Sequence, residues 1–157
     1  MRTIDKLLTE YGESHQNSTN KTIHWICIPL IMFSLVGLLW SIPFPRDIMG
    51  GWVNIGSVLI LLAMVYYVRL SIPLFLGFLL IGSFLIIGNF YLFSYLEQNN
   101  WSMFLCSFLI FFLAWIGQFY GHKVEGKKPS FLKDIQFLLI GPAWLLHFIY
   151  KKIGINY

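Results

Sequence analysis

The sequence predicts an all-α protein: a polytopic membrane helical bundle with four transmembrane spans and a bent or re-entrant C-terminal helical hairpin, in one domain over residues 1–157. Three observations carry this prediction. The chain is 57% hydrophobic and only 11% charged, more apolar surface than a small soluble core can hide. Its apolar residues fall into runs of about 20, the length that crosses a hydrocarbon core of about 30 Å. Trp25, Trp40, Trp52, Trp101 and Trp115 stand at or near the run edges, where interfacial rings are favoured.

The 22 N-terminal residues are polar and predict an extramembrane segment. The first span is 23–42, ended by Ser41, Pro43 and Pro45; a short link over 46–51 leads to a second span, 52–70, which closes at Arg69. Proline is tolerated in a helix's first turn, so Pro73 starts the third span, 73–96. Within it, Asn89 is placed to hydrogen-bond a neighbouring helix. A polar turn over 97–100 precedes the fourth span, 101–120. The last apolar run, 131–150, has Gly141-Pro142 at its middle, where a lost backbone donor and a loosened helix favour a reversal.

Charge supports that topology. If four spans alternate, one face receives Arg2, Lys6, Lys21, Arg69, Lys123, Lys127, Lys128 and Lys133, while the other receives Arg46. A C-terminal hairpin returns Lys151 and Lys152 to the basic face, which the positive-inside rule makes cytoplasmic. The same distribution argues against a nucleic-acid partner: the net charge of +4 is dispersed among segment ends, with no RNA-binding pattern beside it. Membrane lipids are the expected surroundings, in a bacterial cytoplasmic membrane or, in a eukaryote, the endoplasmic reticulum. Cys27 and Cys106 lie inside apolar runs without C-x-x-C spacing and read as small buried hydrophobes.

Span parity gathers the four histidines. His15 and His24 precede span one, His122 follows span four, and a re-entrant last segment brings His147 towards the same face. Nine residues separate His15 from His24, so at about 100° per residue one continuous helix would point them apart. The intervening Asn17, Ser18, Thr19 and Asn20 are turn and cap residues. They predict a helix ending near His15, a bend, and a new helix capped by Thr19 or Asn20 with His24 in its first turn. Gln118 precedes His122 by four residues and Glu125 follows it by three, one helical face if the helix continues that far. A ligating imidazole usually donates its other N–H to such a group, and Glu125 is alternatively a ligand itself. Tyr11, four residues before His15, either bonds the site or packs at the interface. Several imidazoles with carboxylate help suit iron, zinc or copper. The residues alone leave three readings open: an oxygen-using iron enzyme, a zinc-dependent membrane hydrolase, and a non-enzymatic lipid-binding bundle whose histidines cap helices.

The segments "YGESHQNSTNKTIHWICIP", "WIGQFYGHKVEGKKPS" and "GPAWLL" together resemble the family of the fungal 2-hydroxy fatty acid dioxygenase of phytosphingosine breakdown, over essentially the whole chain. The positions that match are Tyr11, His15, Asn20, His24, Pro29, Trp115, Gln118, Phe119, Gly121, His122, Glu125 and Pro129. The resemblance implies an integral membrane, Fe2+-dependent oxidoreductase. Its expected reaction is oxidative decarboxylation, or α-oxidation, of a 2-hydroxy fatty acid with O2 to CO2 and a fatty acid one carbon shorter. His15, His24 and His122 match the family's histidines. His147 joins them as a candidate ligand, with Glu125, Gln118 and Tyr11 as candidate catalytic residues. The chain is compact beside the fungal protein, as a prokaryotic-type member would be.

Overall fold

In the computed structural model the described residues are 2–45, 48–126 and 131–156, with side chains in the last helix from Phe137 onward. Arg46, Lys127 and Lys128, and the side chain of Lys133, counted in the charge tally above, lie outside them. Among the described residues all regular structure is helical: α1 (Thr3–Glu13), α2 (Ser18–Trp40), α3 (Ile55–Leu70), α4 (Ile72–Gln98), α5 (Met103–Glu125) and α6 (Phe131–Ile153). A short 3-10 turn, Ile48–Gly51, lies between α2 and α3.

Three of these helices, α2, α4 and α5, are long and apolar enough to cross a membrane; α3 is apolar but has 16 residues, about 24 Å of helix at 1.5 Å per residue. The second span of the sequence expectation, 52–70, is thus a shorter apolar helix, and three helices reach the length expected of four. Leu61, Leu62, Leu80, Phe84, Phe112 and Leu113 point outward with more than half their surface uncovered, an exterior suited to lipid and not to water.

With no hydrophobic drive between helices in lipid, close packing has to come from small residues, and α2 and α5 share the most extensive interface in the molecule. Gly117 faces the Cys27 sulfur and Gly121 faces the Asn20 side chain; a Cβ added at either would stand 2.6 Å from Cys27 Sγ or 2.5 Å from Asn20 Oδ1. Further along, Gly37 sits against Ser107 and Asn89. Asn89 is fully buried and its amide donates to the Phe33 carbonyl of α2 at 3.2 Å, the interhelical bond expected of it. These contacts run α2 antiparallel to α5, so the start of α2 and the end of α5 meet at one end of the bundle.

The C-terminal segment departs from expectation. Residues 131–153 form one helix containing Pro142, and no hairpin reverses it. A proline inside a helix removes one backbone bond and bends the axis, which does not by itself turn the chain around. The helix is fastened across the histidine end instead: Tyr67, near the end of α3, donates its hydroxyl to the Leu139 carbonyl at 2.5 Å, and Tyr150 donates to the Pro73 carbonyl, near the start of α4, at 2.6 Å. Lys151 and Lys152 follow this second tie, so they stay on the end where the hairpin was meant to return them.

The amphipathic α1 buries Ile4, Leu8 and Tyr11 in one stripe and packs on α6. With α6 it closes the histidine end of the bundle.

Candidate metal centre

The bend between α1 and α2 positions the first two histidines. Asn17, not Thr19 or Asn20, caps α2: its side-chain oxygen accepts from Thr19 N at 2.9 Å and Asn20 N at 3.3 Å. The helix begins at Ser18, which places His24 in its second turn. The cap leaves the bend's own N–H groups needing acceptors. They find them on Glu125, at the far end of α5, which accepts from Gln16 N at 2.7 Å, Asn17 N at 3.0 Å and the Asn20 amide at 2.9 Å.

Both carboxylate oxygens are thus engaged in tying α5 to the bend. Glu125 stands outside the group of donors that converge; it ties the end of α5, which carries His122 three residues before it, to the bend between His15 and His24. Glu125→Gln keeps the size but turns one acceptor into a donor facing N–H groups. We expect metal affinity to fall roughly 10- to 100-fold, the usual effect of losing an outer partner. A metal titration of the purified protein measures this, and unchanged affinity would show that the bend holds without the clamp.

His15, His24 and His122 bring one ring nitrogen each to a common point, all three within 4.8 Å of one another. The ring centroids are 4.3 Å apart for His15 and His24, 5.5 Å for His15 and His122, and 5.1 Å for His24 and His122. Backbone carbonyls fix two of the tautomers. A carbonyl only accepts, so His15 Nδ1–H donates to Tyr11 O at 2.6 Å and His24 Nδ1–H donates to Asn20 O at 2.9 Å. In the neutral rings, both Nε2 atoms therefore carry lone pairs, and they face each other at 2.9 Å.

Two acceptors at that distance repel unless something positive lies between them. A proton is disfavoured there at neutral pH: burial is the largest influence on His15 and lowers its pKa to about 4. His15 and His24 are 2% and 1% exposed, so the pair is largely withdrawn from bulk solvent. A cation that accepts nitrogen lone pairs would relieve the pair, and three imidazoles converge where it would sit. The donor set fits a transition metal of the iron, copper or zinc kind, with three protein ligands and open positions for other molecules.

The rings are held by packing. Tyr11 stacks on His15 with centroids 4.1 Å apart and planes 13° from parallel, and Trp144 lies 5.2 Å from the same ring. Beside the centre is a cavity of about 50 Å³ between α2, α5 and α6, reached by Tyr11, His24 and His122 and otherwise lined by residues such as Ile28, Met32 and Phe137. Two polar atoms on this stretch of α5, Gln118 Oε1 and Trp115 Nε1, are buried without a hydrogen-bond partner. A polar groove of about 350 Å³ reaches His15 from another side, lined among others by Asp5, Gln16, Lys21 and His147.

Of the residues expected to form the site, the structure brings together His15, His24 and His122, with Tyr11 and Gln118 beside them. It turns Glu125 into a clamp. His147 lies in the polar groove and not with the three converging nitrogens, because the continuous α6 carries it past them. Nothing local in the sequence pointed to Trp144 packing on His15, and Asn17, though read as a turn and cap residue, was not singled out as the cap.

A family model described as 2-hydroxy-palmitic acid dioxygenase Mpo1-like matches residues 1–153. The chain is 29% identical over 146 residues to the 2-hydroxy-palmitic acid dioxygenase MPO1 of Saccharomyces cerevisiae, covering 92% of this chain and 78% of the yeast protein. No solved structure matches the chain.

Proposed function

This chain belongs to the Mpo1-like family, and from that premise we propose that it is an Fe2+-dependent membrane dioxygenase that converts a 2-hydroxy fatty acid and O2 into a fatty acid one carbon shorter, CO2 and water. The observation that carries the reading is the pair of Nε2 lone pairs aimed at each other at 2.9 Å with a third imidazole beside them. Zinc has no redox chemistry, so a dioxygenase built on these ligands calls for another metal.

His15, His24 and His122 hold the iron. When bound, ferrous iron supplies a centre at which O2 can react and a Lewis acid that lowers the pKa of the substrate hydroxyl. The Tyr11 and Asn20 carbonyls keep two ligand rings in the tautomer that presents Nε2. Gln118 Oε1 accepts a hydrogen bond from the 2-hydroxyl, and Trp115 Nε1–H donates to the carboxylate, so each orphaned buried atom finds a partner when substrate is present. Ile28, Ile31, Met32 and Phe137 keep water out of the cavity. Lys21 puts a positive charge on the groove that opens on His15 and steers an anionic head group towards the centre. By the charge distribution we place this end of the bundle on the cytoplasmic side of the membrane.

The electrons balance without a further reductant, because the substrate supplies all four that reduce O2. Iron-loaded protein should therefore take up O2 with 2-hydroxy acids in a one-to-one ratio, release CO2 and form the shortened acid, and leave the corresponding unsubstituted acid alone. An oxygen electrode with product analysis measures this. No uptake with 2-hydroxy acids of any length would overturn the reading.

A further inference from the structure

The cavity at the histidines has room for a small head group and for little more, about 50 Å³. A much larger space lies next to it. Helices α2, α4 and α6 enclose a groove of about 620 Å³, almost wholly carbon-lined, with Trp25, Phe33, Leu80, Phe84, Leu145 and Ile149 among its walls. Met32 lines both spaces, and on α6 consecutive residues divide them: Gly141 faces the cavity and Pro142 the groove. The partition is thin where it matters. Gly141 packs so closely that a Cβ there would stand 3.2 Å from Ile28 Cδ1 and 3.4 Å from the Tyr11 hydroxyl, whereas Met32 is an unbranched, adaptable side chain. The groove's outer wall is open: Leu80 is 75% and Phe84 71% exposed.

We propose that this groove is the acyl-tail site of the enzyme, that its occupant is the hydrocarbon chain of a 2-hydroxy fatty acid whose head lies at the histidines, and that Met32 is the residue the chain passes. The inference rests on the dioxygenase reading of the centre. Continuity through Met32 names the occupant, because among the described residues it joins the head cavity to an apolar space large enough for a long chain. Lipid tails are as apolar as the leucines that line the groove, so moving a tail from bilayer to groove gains little from burial itself. The groove therefore discriminates by length and fit, and its open wall lets substrate arrive sideways from lipid without its tail meeting water.

Two measurements on the full iron-loaded chain in lipid-containing micelles test this. The first uses a sixteen-carbon 2-hydroxy acid bearing a diazirine at its chain end as a photo-crosslinking probe. The label is expected on the groove walls, at Leu80, Phe84 or Ile149, and to be displaced by unlabelled 2-hydroxy acid but not by phospholipid. Label elsewhere overturns the proposal, and so does groove label that phospholipid displaces equally well, which would make the groove a bound-lipid site. In the second, Leu80→Trp fills the groove from a position exposed enough to leave the packed bundle intact. Its kcat/KM for the sixteen-carbon acid is expected to fall about tenfold or more, with that for a six-carbon acid held within about twofold. Equal losses at both lengths, or none at either, overturn the proposal. Wild-type protein that consumes no O2 with either acid would instead sink the dioxygenase reading, while the crosslink still reports where the chain lies.

Discussion

His24→Ala is expected to leave the protein folded in the membrane but without iron and without turnover. The substitution removes one of two lone pairs that face each other at 2.9 Å and leaves His15 with a buried nitrogen and no partner across the site. His15→Ala and His122→Ala should act in the same direction, because each reduces three nitrogen donors to two. We expect oxygen uptake to drop at least about a hundredfold in each, beyond the 10- to 100-fold typical of losing a group one layer further out. Metal analysis, oxygen uptake and thermal unfolding with and without iron measure the three consequences together. A bound ion stabilises only the folded state that holds it, so wild-type protein should gain stability on adding iron and the three variants should not. Full iron content and activity in any one variant would remove that histidine from the ligand set.

The second large effect is expected at a residue with no functional group. Gly121 lets the end of α5 approach the start of α2, and a Cβ there would stand 2.5 Å from Asn20 Oδ1 and 3.4 Å from Ile23 Cγ2. Gly121→Val needs more room still. Its cost is set by overpacking, about 1–3 kcal/mol and occasionally more. The displaced partner is the one that matters most here, because the Asn20 amide bonds Glu125 and the Asn20 carbonyl fixes the His24 tautomer. The variant should therefore lose metal affinity and activity out of proportion to its loss of stability. Gly12→Ala is the control. It also neighbours His15 in the chain, but its Cβ would meet only Trp144 Nε1 at 3.9 Å, an ordinary contact. In a helix that change is neutral to stabilising, by up to about 1 kcal/mol. Chemical denaturation and metal titration of both proteins separate the two outcomes. Iron affinity unchanged in Gly121→Val would mean that the close approach of the helices does not position His122.

The two residues show where the site was legible and where it was not. His15, His24 and His122 could be placed on one end of the bundle by counting spans, because a transmembrane run returns the chain to the opposite face whatever its neighbours do. Asn89 could be expected to bond another helix because a lone amide in an apolar span finds few partners, and its amide donates both to Leu85 O of its own helix and to Phe33 O of α2. Glu125 was different. Its position three residues after His122 made it look like a ligand or a ring partner, and only folding revealed that its acceptors go to N–H groups 105 to 109 residues earlier in the chain. The cap was misplaced by two or three residues: Asn17, Thr19 and Asn20 all have side chains suited to capping, but the helix begins at Ser18, so Thr19 and Asn20 are already inside it and donate their N–H groups to Asn17.

The sequence by itself determined the class of the protein, the order and approximate limits of its apolar helices, and the gathering of three imidazoles at one boundary. These follow from composition and from lengths along the chain, which lipid constrains strongly. The tertiary structure decided which groups meet there: that α6 continues through Pro142 and carries His147 past the centre, that Glu125 clamps a bend, and that a small head cavity opens towards an apolar groove. Those outcomes depend on how closely helices distant in sequence approach one another. That distance is set by single glycines and by the paired needs of buried donors and acceptors, which no local pattern records.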